Sequence, residues 1–338
     1  MDPREEIKEM GHSCKFLLTV LSILSMACNA FAAENIRVLL LNEVYSWIPA
    51  KSEKMEKVGT MRGDLLLMGT GYSGSIEIWK GDGGLCIINE LPLEEYVKDV
   101  VAAEVAPDWD MEALKVQAVI SRTYALYQRK TNGGSAYHIA SSVLNQVYKG
   151  KSPDARISYA VSETSGQILS YNGGPIEAFY HSTCGGRTEN AEEVFGKAYP
   201  YLKSVESSCD ISPYSSWERK IKIEDIERAL DTRGITEIRV KSSTSTRRVK
   251  QLTIKTRSGI ATVNATDLRK ALGWSRLPST NFTLSRQGDS IMFEGKGYGH
   301  GVGLCQWGAL KMAREGKDYR EILSFFYPGT TLESYENH

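Results

Sequence analysis

The sequence predicts an α+β fold: a mixed, β-rich body that carries a helical hairpin, with a small α/β insertion at 217–290. Three observations predict it. Short aliphatic and β-branched runs parted by Gly-rich turns follow residue 34, at Ile36 to Leu41, Asp64 to Met68 and Ser75 to Trp79. Two amphipathic helical segments with end signals come next. Near residue 217 the chain becomes dense in charge and alternates short helix and strand patterns. At 338 residues, 41% hydrophobic and 24% charged, the chain can bury one large core or two ordinary ones. Its 41 basic and 41 acidic residues cancel, which argues against a nucleic-acid partner and suits a neutral polymer.

The N-terminus carries an address. Lys15 precedes an uncharged run from Phe16 to Ala33, and Ala30-Phe31-Ala32 has the form of a signal-peptidase site, so residues 1–33 read as a signal peptide or a retained membrane anchor and the remainder as exported. Of six cysteines, Cys86, Cys184, Cys209 and Cys305 lie beyond it. Cys184 and Cys209, close in sequence and flanking turn-like segments, are the expected disulfide in an oxidising compartment. His181 and Cys184 could begin a zinc site, but no second pair of ligands at short spacing accompanies them, so no metal and no cofactor are expected.

Leu91-Pro92-Leu93-Glu94-Glu95-Tyr96 opens the first helix, with proline suited to the first turn and two acids complementing the dipole; Pro107 ends it. A second helix runs from Asp110, an N-cap, to Asn132-Gly133-Gly134. On the first, Val97, Val100 and Val101 define an apolar stripe, and Glu104 falls on it. Glu94, Glu95 and Asp99 read as solvated. Glu104 does not: flanked by Ala102, Ala103 and Val105, it is crowded by apolar atoms, which raises a carboxyl pKa as a general acid requires. The competing reading is a structural ion pair with Arg122 on the second helix.

From Val161 short strands and turns alternate, with a hairpin turn at Gly173-Gly174-Pro175, and Ala178 to His181 lead into the loop Ser182-Thr183-Cys184-Gly185-Gly186. Cys184 with His181 or His300 as base would make a thiol hydrolase. In the insertion, Ile221 to Leu230 and Ala265 to Leu272 read as helices and Ile238 to Lys241 and Val249 to Thr256 as strands, with no cluster of catalytic types. Phe282, Leu284, Ile291 and Phe293 alternate as strands that lead to GKGYGHGVG at 295–303. Read as a strand, this stretch has one bare glycine face, which invites close approach, and Lys296, Tyr298, His300 and Val302 on the other.

LPLEEYVKDVVAAEVAPDWDMEALKVQAVISRTYAL, QVYKG, YHSTCGGRTENAEEVF with PYLKSV, GKGYGHGVGLCQWGA and FFYPGT, in this order, resemble the SpoIID/LytB family of bacterial cell-wall proteins over nearly the whole exported chain. The resemblance implies a lytic transglycosylase that cleaves peptidoglycan glycan strands, preferably those stripped of stem peptides, with the family's catalytic glutamate falling on Glu104. It implies that HSTCGG and GHGVG line the glycan cleft. The candidate substrate-binding residues are then Arg122, Gln146, Tyr148, Ser182, Thr183, Gly185, Tyr298, His300 and Gln306. Two departures stand out. Some members carry a Cys and His cluster before the segment matching Gln146-Val147-Tyr148, where this chain reads HIASSVLNQVY and keeps only His138, so their zinc site is not expected. Cys305 stands where the family often has Ser.

In the implied mechanism one carboxyl group protonates the glycosidic oxygen and then takes the proton from the muramic C6 hydroxyl, which closes a 1,6-anhydro ring. Hydrolysis would need a second acid, for which Glu177 and Glu193 are candidates. LytB-type members are described as amidase enhancers, so the alternative is a glycan-binding module that serves a cell-wall amidase or a membrane partner without cleaving anything itself.

Overall fold

The structure, a computed structural model, describes residues 34–40, 54–142 and 145–335; the expected leader or anchor lies outside them. The fold is α+β. Strands Glu56–Arg62, Ser75–Gly81, Gly84–Pro92, Asn35–Leu40 and Ile139–Ala140 form one sheet in that order. All of its pairs are antiparallel except the last. Residues Ile36 and Val38 alternate inward on strand Asn35–Leu40, and with Leu91 of the central strand they start the main core.

Helix α1 (Leu93–Glu104) continues from strand Gly84–Pro92, and α2 (Met111–Asn132) starts at Asp110, whose Oδ1 accepts from the Glu112 amide at 3.0 Å. Tyr96, Val97, Val100 and Val101 of α1 are fully buried, and α2 is the hub of the body. Packed on α2 are α3 (Ala155–Glu163) and the hairpin Gln167–Tyr171 and Gly174–Pro175, which turns at Asn172 and Gly173 with positive φ. A short helix α4 (Ala191–Phe195) follows.

Residues 217–295 hold a second hydrophobic core, centred on Trp217, Ile226, Leu252, Leu268 and Phe293. Its strand Trp217–Lys222 pairs with Ser290–Gly295, itself paired with Phe282–Gln287. Beside them lie helix α5 (Ile223–Ala229), the sheet Ile235–Ser243, Val249–Thr256 and Ile260–Asn264, and helix α6 (Ala265–Leu272). The first helix expected here starts later than Ile221 because that residue belongs to a strand, and the strand Ile260–Asn264 was not expected. The chain then returns to the body with α7 (Gln306–Arg314) and α8 (Tyr319–Phe326), the latter begun by an Asp318 and Glu321 capping box.

The glycine stretch is not a strand. Gly297, Gly299, Gly301 and Gly303 all have φ between 71° and 111°, a region closed to ordinary side chains, so their two-residue spacing traces a tight loop. What comes close to the backbone is the protein itself. A Cβ on Gly297 would lie 2.7 Å from the Thr183 carbonyl oxygen, and one on Gly299 would lie 2.8 Å from His181 Cβ. Thr183 and Tyr298 exchange backbone hydrogen bonds at 3.0 and 2.8 Å, and the Gly297 carbonyl accepts from Trp217 Nε1 at 2.9 Å. The bare face expected to receive a sugar chain is thus filled by residues 179–184 and by the second unit.

Candidate active site

A cleft of about 430 Å³ opens between the two cores. The body supplies Glu104, Tyr124, Phe179 to Ser182, Tyr298, His300 and Gln306, and the second unit supplies Thr266, Arg269, Trp274 and Thr280.

Glu104 is the last residue of α1; Val105 is extended and turns the chain away, leaving the carboxylate at the cleft floor. Its Oε1 accepts from the Val147 amide at 2.8 Å, and the Tyr180 and Gln306 side chains face the same group. Burial raises its pKa; the Val147 hydrogen bond and the neighbouring Tyr180 and Gln306 polar groups oppose the rise without cancelling it. Glu104 has no ion-pair partner among the described residues. Arg122, fully buried, instead grips the Glu94 carboxylate with Nε and Nη2, both at 2.7 Å, and donates from Nη1 to the Gln167 carbonyl at 3.0 Å. The reason is hairpin geometry: the last turn of α1 faces the first turn of α2, and Arg122 sits about three turns farther along, opposite the first turn of α1.

Asp99, read as solvated, is 6% exposed and accepts from the Ser152 amide at 2.9 Å; burial pushes its pKa up to about 6. It faces away from the cleft, so a raised pKa alone does not single out Glu104; the cleft does.

Of the nine candidate binding residues, Ser182, Tyr298, His300 and Gln306 line the cleft and the other five do not. Gln146 is buried and accepts from the Tyr96 hydroxyl at 3.0 Å, and the Tyr148 hydroxyl donates to Asn89 at 2.6 Å. Thr183 is buried against Ser212 at 2.7 Å, and Gly185 is a tight turn against Lys296. These, with Arg122, build the walls from behind. The Val302 amide donates to His300 Nδ1 at 3.0 Å, which leaves the neutral ring's proton on Nε2. Burial and the Arg269 charge lower the His300 pKa to about 4, so the ring is neutral at neutral pH. His181 donates from Nδ1 to the Val302 carbonyl at 3.1 Å, leaving a buried, unpartnered Nε2 on the cleft side.

Cys184 is buried behind the cleft, which removes the thiol-hydrolase reading. Cys184 and Cys209, the expected disulfide pair, are brought together as free cysteines with sulfurs 3.4 Å apart, and the Cys305 sulfur joins them within 4.8 Å. Neither candidate second acid reaches the cleft. Glu177 accepts from the Tyr199 hydroxyl at 2.5 Å, and Glu193 pairs with Lys250 at 2.8 Å.

Sequence reasoning missed the second unit's contribution. Arg269 is 7% exposed, donates from Nε to the Leu277 carbonyl at 2.8 Å, and lays its guanidinium 4.6 Å over the Trp274 ring. No carboxylate pairs with it among the described residues. Burial lowers its pKa to about 10, which leaves it charged at neutral pH.

The family profile described as "Stage II sporulation protein" matches residues 81–171, and one described as a domain of unknown function matches 209–303. An uncharacterized protein of Brachyspira hyodysenteriae is 36% identical over 274 residues, which cover 80% of this chain and 74% of that one. "Stage II sporulation protein D" of Bacillus subtilis is 35% identical over 266 residues, 72% of this chain and 75% of its own length. The "Amidase enhancer" of Bacillus subtilis is 30% identical over 290 residues, 71% of this chain but 40% of its own length. With its helical hairpin and Glu104 inside residues 81–171, and with stage II sporulation protein D 35% identical over 72% of the chain, the chain belongs to the SpoIID family of stage II sporulation proteins.

Proposed function

We propose that the chain is a cell-wall protein that cleaves peptidoglycan glycan strands as a lytic transglycosylase, with Glu104 as the only acid and base. The observation that carries this reading is that, among the described residues, Glu104 is the sole carboxylate lining the cleft, its pKa raised by burial and its side chain paired with no cation. A buried carboxylic acid can donate to the glycosidic oxygen as the bond breaks. The carboxylate left behind is held by the Val147 amide and is placed to draw the proton from the C6 hydroxyl, so one group serves both steps. Two-carboxylate hydrolysis finds no second acid on the walls among the described residues.

Arg269 and Trp274 extend the reading to the substrate. A buried cation without a protein anion is costly unless a ligand supplies one. Muramic acid carries a free lactyl carboxylate only where the stem peptide has been removed, and the Trp274 ring beside the guanidinium offers a sugar a flat apolar face. The uncharged run from Phe16 to Ala33 is read as the export signal or anchor that takes the chain to this substrate. Residues 217–290 are read as an insertion, supported by the pairing of Trp217 with Gly295 that brings its ends together.

The relative named as an amidase enhancer favours a second reading, a glycan binder that serves an amidase. Incubating the purified chain alone with amidase-treated sacculi separates them. Muropeptide-free fragments with 1,6-anhydromuramic ends, identified by mass spectrometry, are the expected product. Free reducing ends would mean hydrolysis, and binding without fragments would leave only the enhancer.

A further inference from the structure

Behind the cleft lies a cluster that this reading does not use. Cys184, Cys209 and Cys305 are buried with their sulfurs within 4.8 Å of one another, and Arg248, 2% exposed, comes from the second unit to stand beside them.

Four features of the cluster point the same way. Three sulfurs around one zinc ion at about 2.3 Å must lie about 3.8–4.0 Å apart, a spacing bracketed by the 3.4 Å contact between Cys184 and Cys209 and the 4.8 Å limit of the set. Backbone amides already donate to the sulfurs: Cys184 and Gly308 to Cys305 at 3.2 and 3.3 Å, and Gly185 to Cys209 at 3.3 Å. Such bonds stabilise thiolates and orient them as outer-shell bonds do around metal ligands. Cys305 is also the N-cap of α7, where the helix dipole favours negative charge. Finally, Arg248 spends Nη2 on the Cys184 and Arg187 carbonyls but leaves Nε and Nη1 buried without partners. The buried Glu189 carboxylate also acts on this charge, but its oxygens are taken by the Thr244 and Thr246 hydroxyls and the Asn190 amide, so the two orphaned donors stay open to a further anion. Three thiolates and one divalent ion carry a net single negative charge, which matches it.

We propose that Cys184, Cys209 and Cys305 bind one zinc(II) ion, with Arg248 as the outer-shell counter-charge. On binding, each thiol gives up its proton to solvent and its sulfur lone pair forms the metal bond; nothing is oxidised. The ion ties together three segments far apart in sequence: the 182–186 loop, the 209 turn and the start of α7. Those segments carry Ser182 and Gln306 into the cleft, so the site is structural and distinct from the acid. It is also distinct from the ligand cluster some relatives carry before the Gln146 segment, of which this chain retains only His138.

The test uses the full exported chain, reduced and stripped with a chelator, then titrated with zinc(II) and with cobalt(II) as a coloured probe. About one equivalent should bind, with intense near-ultraviolet sulfur-to-cobalt charge-transfer bands and a rise in melting temperature. Cys305→Ser, close in size, should abolish those bands and weaken zinc by more than the ~100-fold at the top of the range for an outer-shell partner. Arg248→Met should weaken it by ~10–100-fold, with Arg248→Lys retaining part of the affinity. Cys86→Ser should change nothing. If the unmodified reduced chain takes up neither ion in stoichiometric amount, the proposal fails without recourse to any variant. It fails equally if the chain recovered from an oxidising compartment is metal-free and carries a Cys184–Cys209 disulfide by peptide mapping.

Discussion

The two walls of the cleft differ in what they bring to a sugar chain. The body wall brings an acid: Glu104 on a helix end, its pKa raised by burial, a neutral His300, and the Tyr180 and Gln306 side chains. The wall from the second unit brings a cation and an aromatic face, with no titratable group suited to proton transfer near neutral pH. In the proposed reaction the first wall performs the chemistry and the second selects the strand. Mutations on the two walls should therefore fail in different ways, and three experiments can break or sharpen that contrast.

The largest effect is expected at Glu104. Glu104→Gln keeps the shape and the Val147 hydrogen bond but cannot deliver a proton, so strand cleavage should fall by at least ~10²–10⁴-fold while binding to denuded strands persists. The mutant should melt no lower than the parent, because no cation is left unpaired. Arg122→Met gives the opposite signature. It strands the partly exposed Glu94 and should destabilise by about 3 kcal/mol, at the low end for a broken buried pair, with turnover reduced only in proportion to unfolding. A fully active Glu104→Gln enzyme ends the body-wall assignment.

A smaller effect is expected on the other wall. A charged hydrogen bond contributes about 1.5–3 kcal/mol, so Arg269→Gln should cost roughly 10- to 150-fold in kcat/KM on denuded strands. Converting the lactyl carboxylates to methylamides should weaken the parent by a similar factor and then make Arg269→Gln and the parent indistinguishable. Equal losses for the mutant on both substrates would show that Arg269 supports the fold and reads no carboxylate. An inactive parent would instead remove the catalytic reading altogether.

The same contrast explains which parts of the site were legible. Glu104 was found because a charge on an apolar stripe is visible by counting along the helix. Arg269 has that signature too: Ala265, Leu268 and Leu272 form the buried stripe of α6, and Arg269 lies on it, four after the first and three before the last. It was not singled out because charge is dense throughout the insertion, Asp267 and Lys270 beside it included, and no cluster of catalytic types marks the segment. The helical hairpin and its caps were legible because they are local. The glycine stretch misled for a definite reason: a two-residue period implies a strand only when residues are confined to negative φ, and glycine is not. Arg122 was given the wrong partner because helix pairing fixes which turns meet, and that is tertiary information. The cysteine cluster drew on residues 184, 209 and 305, whose separations are unlike any short ligand spacing.

The smallest effect on activity, and the cleanest on pH, is expected at Asp99. Asp99 and Glu104 share α1, and burial raises both carboxyl groups, but only Glu104 opens into the cleft. A folded pKa above the unfolded one means that the native state holds the proton more tightly. Between the two values the native state therefore binds more protons than the unfolded chain, and stability falls as pH rises through that window. For Asp99 the window runs from the ordinary 3.8 to about 6, a loss on the order of 3 kcal/mol. Asp99→Asn should flatten this part of the stability curve, measured by urea unfolding at a series of pH values, while changing cleavage less than about twofold. Glu104→Gln should flatten its own portion of the curve and abolish cleavage. In the parent, cleavage should decline as pH rises through the raised Glu104 value, because the ionised group cannot act as the acid. If Asp99→Asn removed that decline in place of Glu104→Gln, the acid would sit on the wrong face of α1 and the cleft would have to be something other than the reaction site.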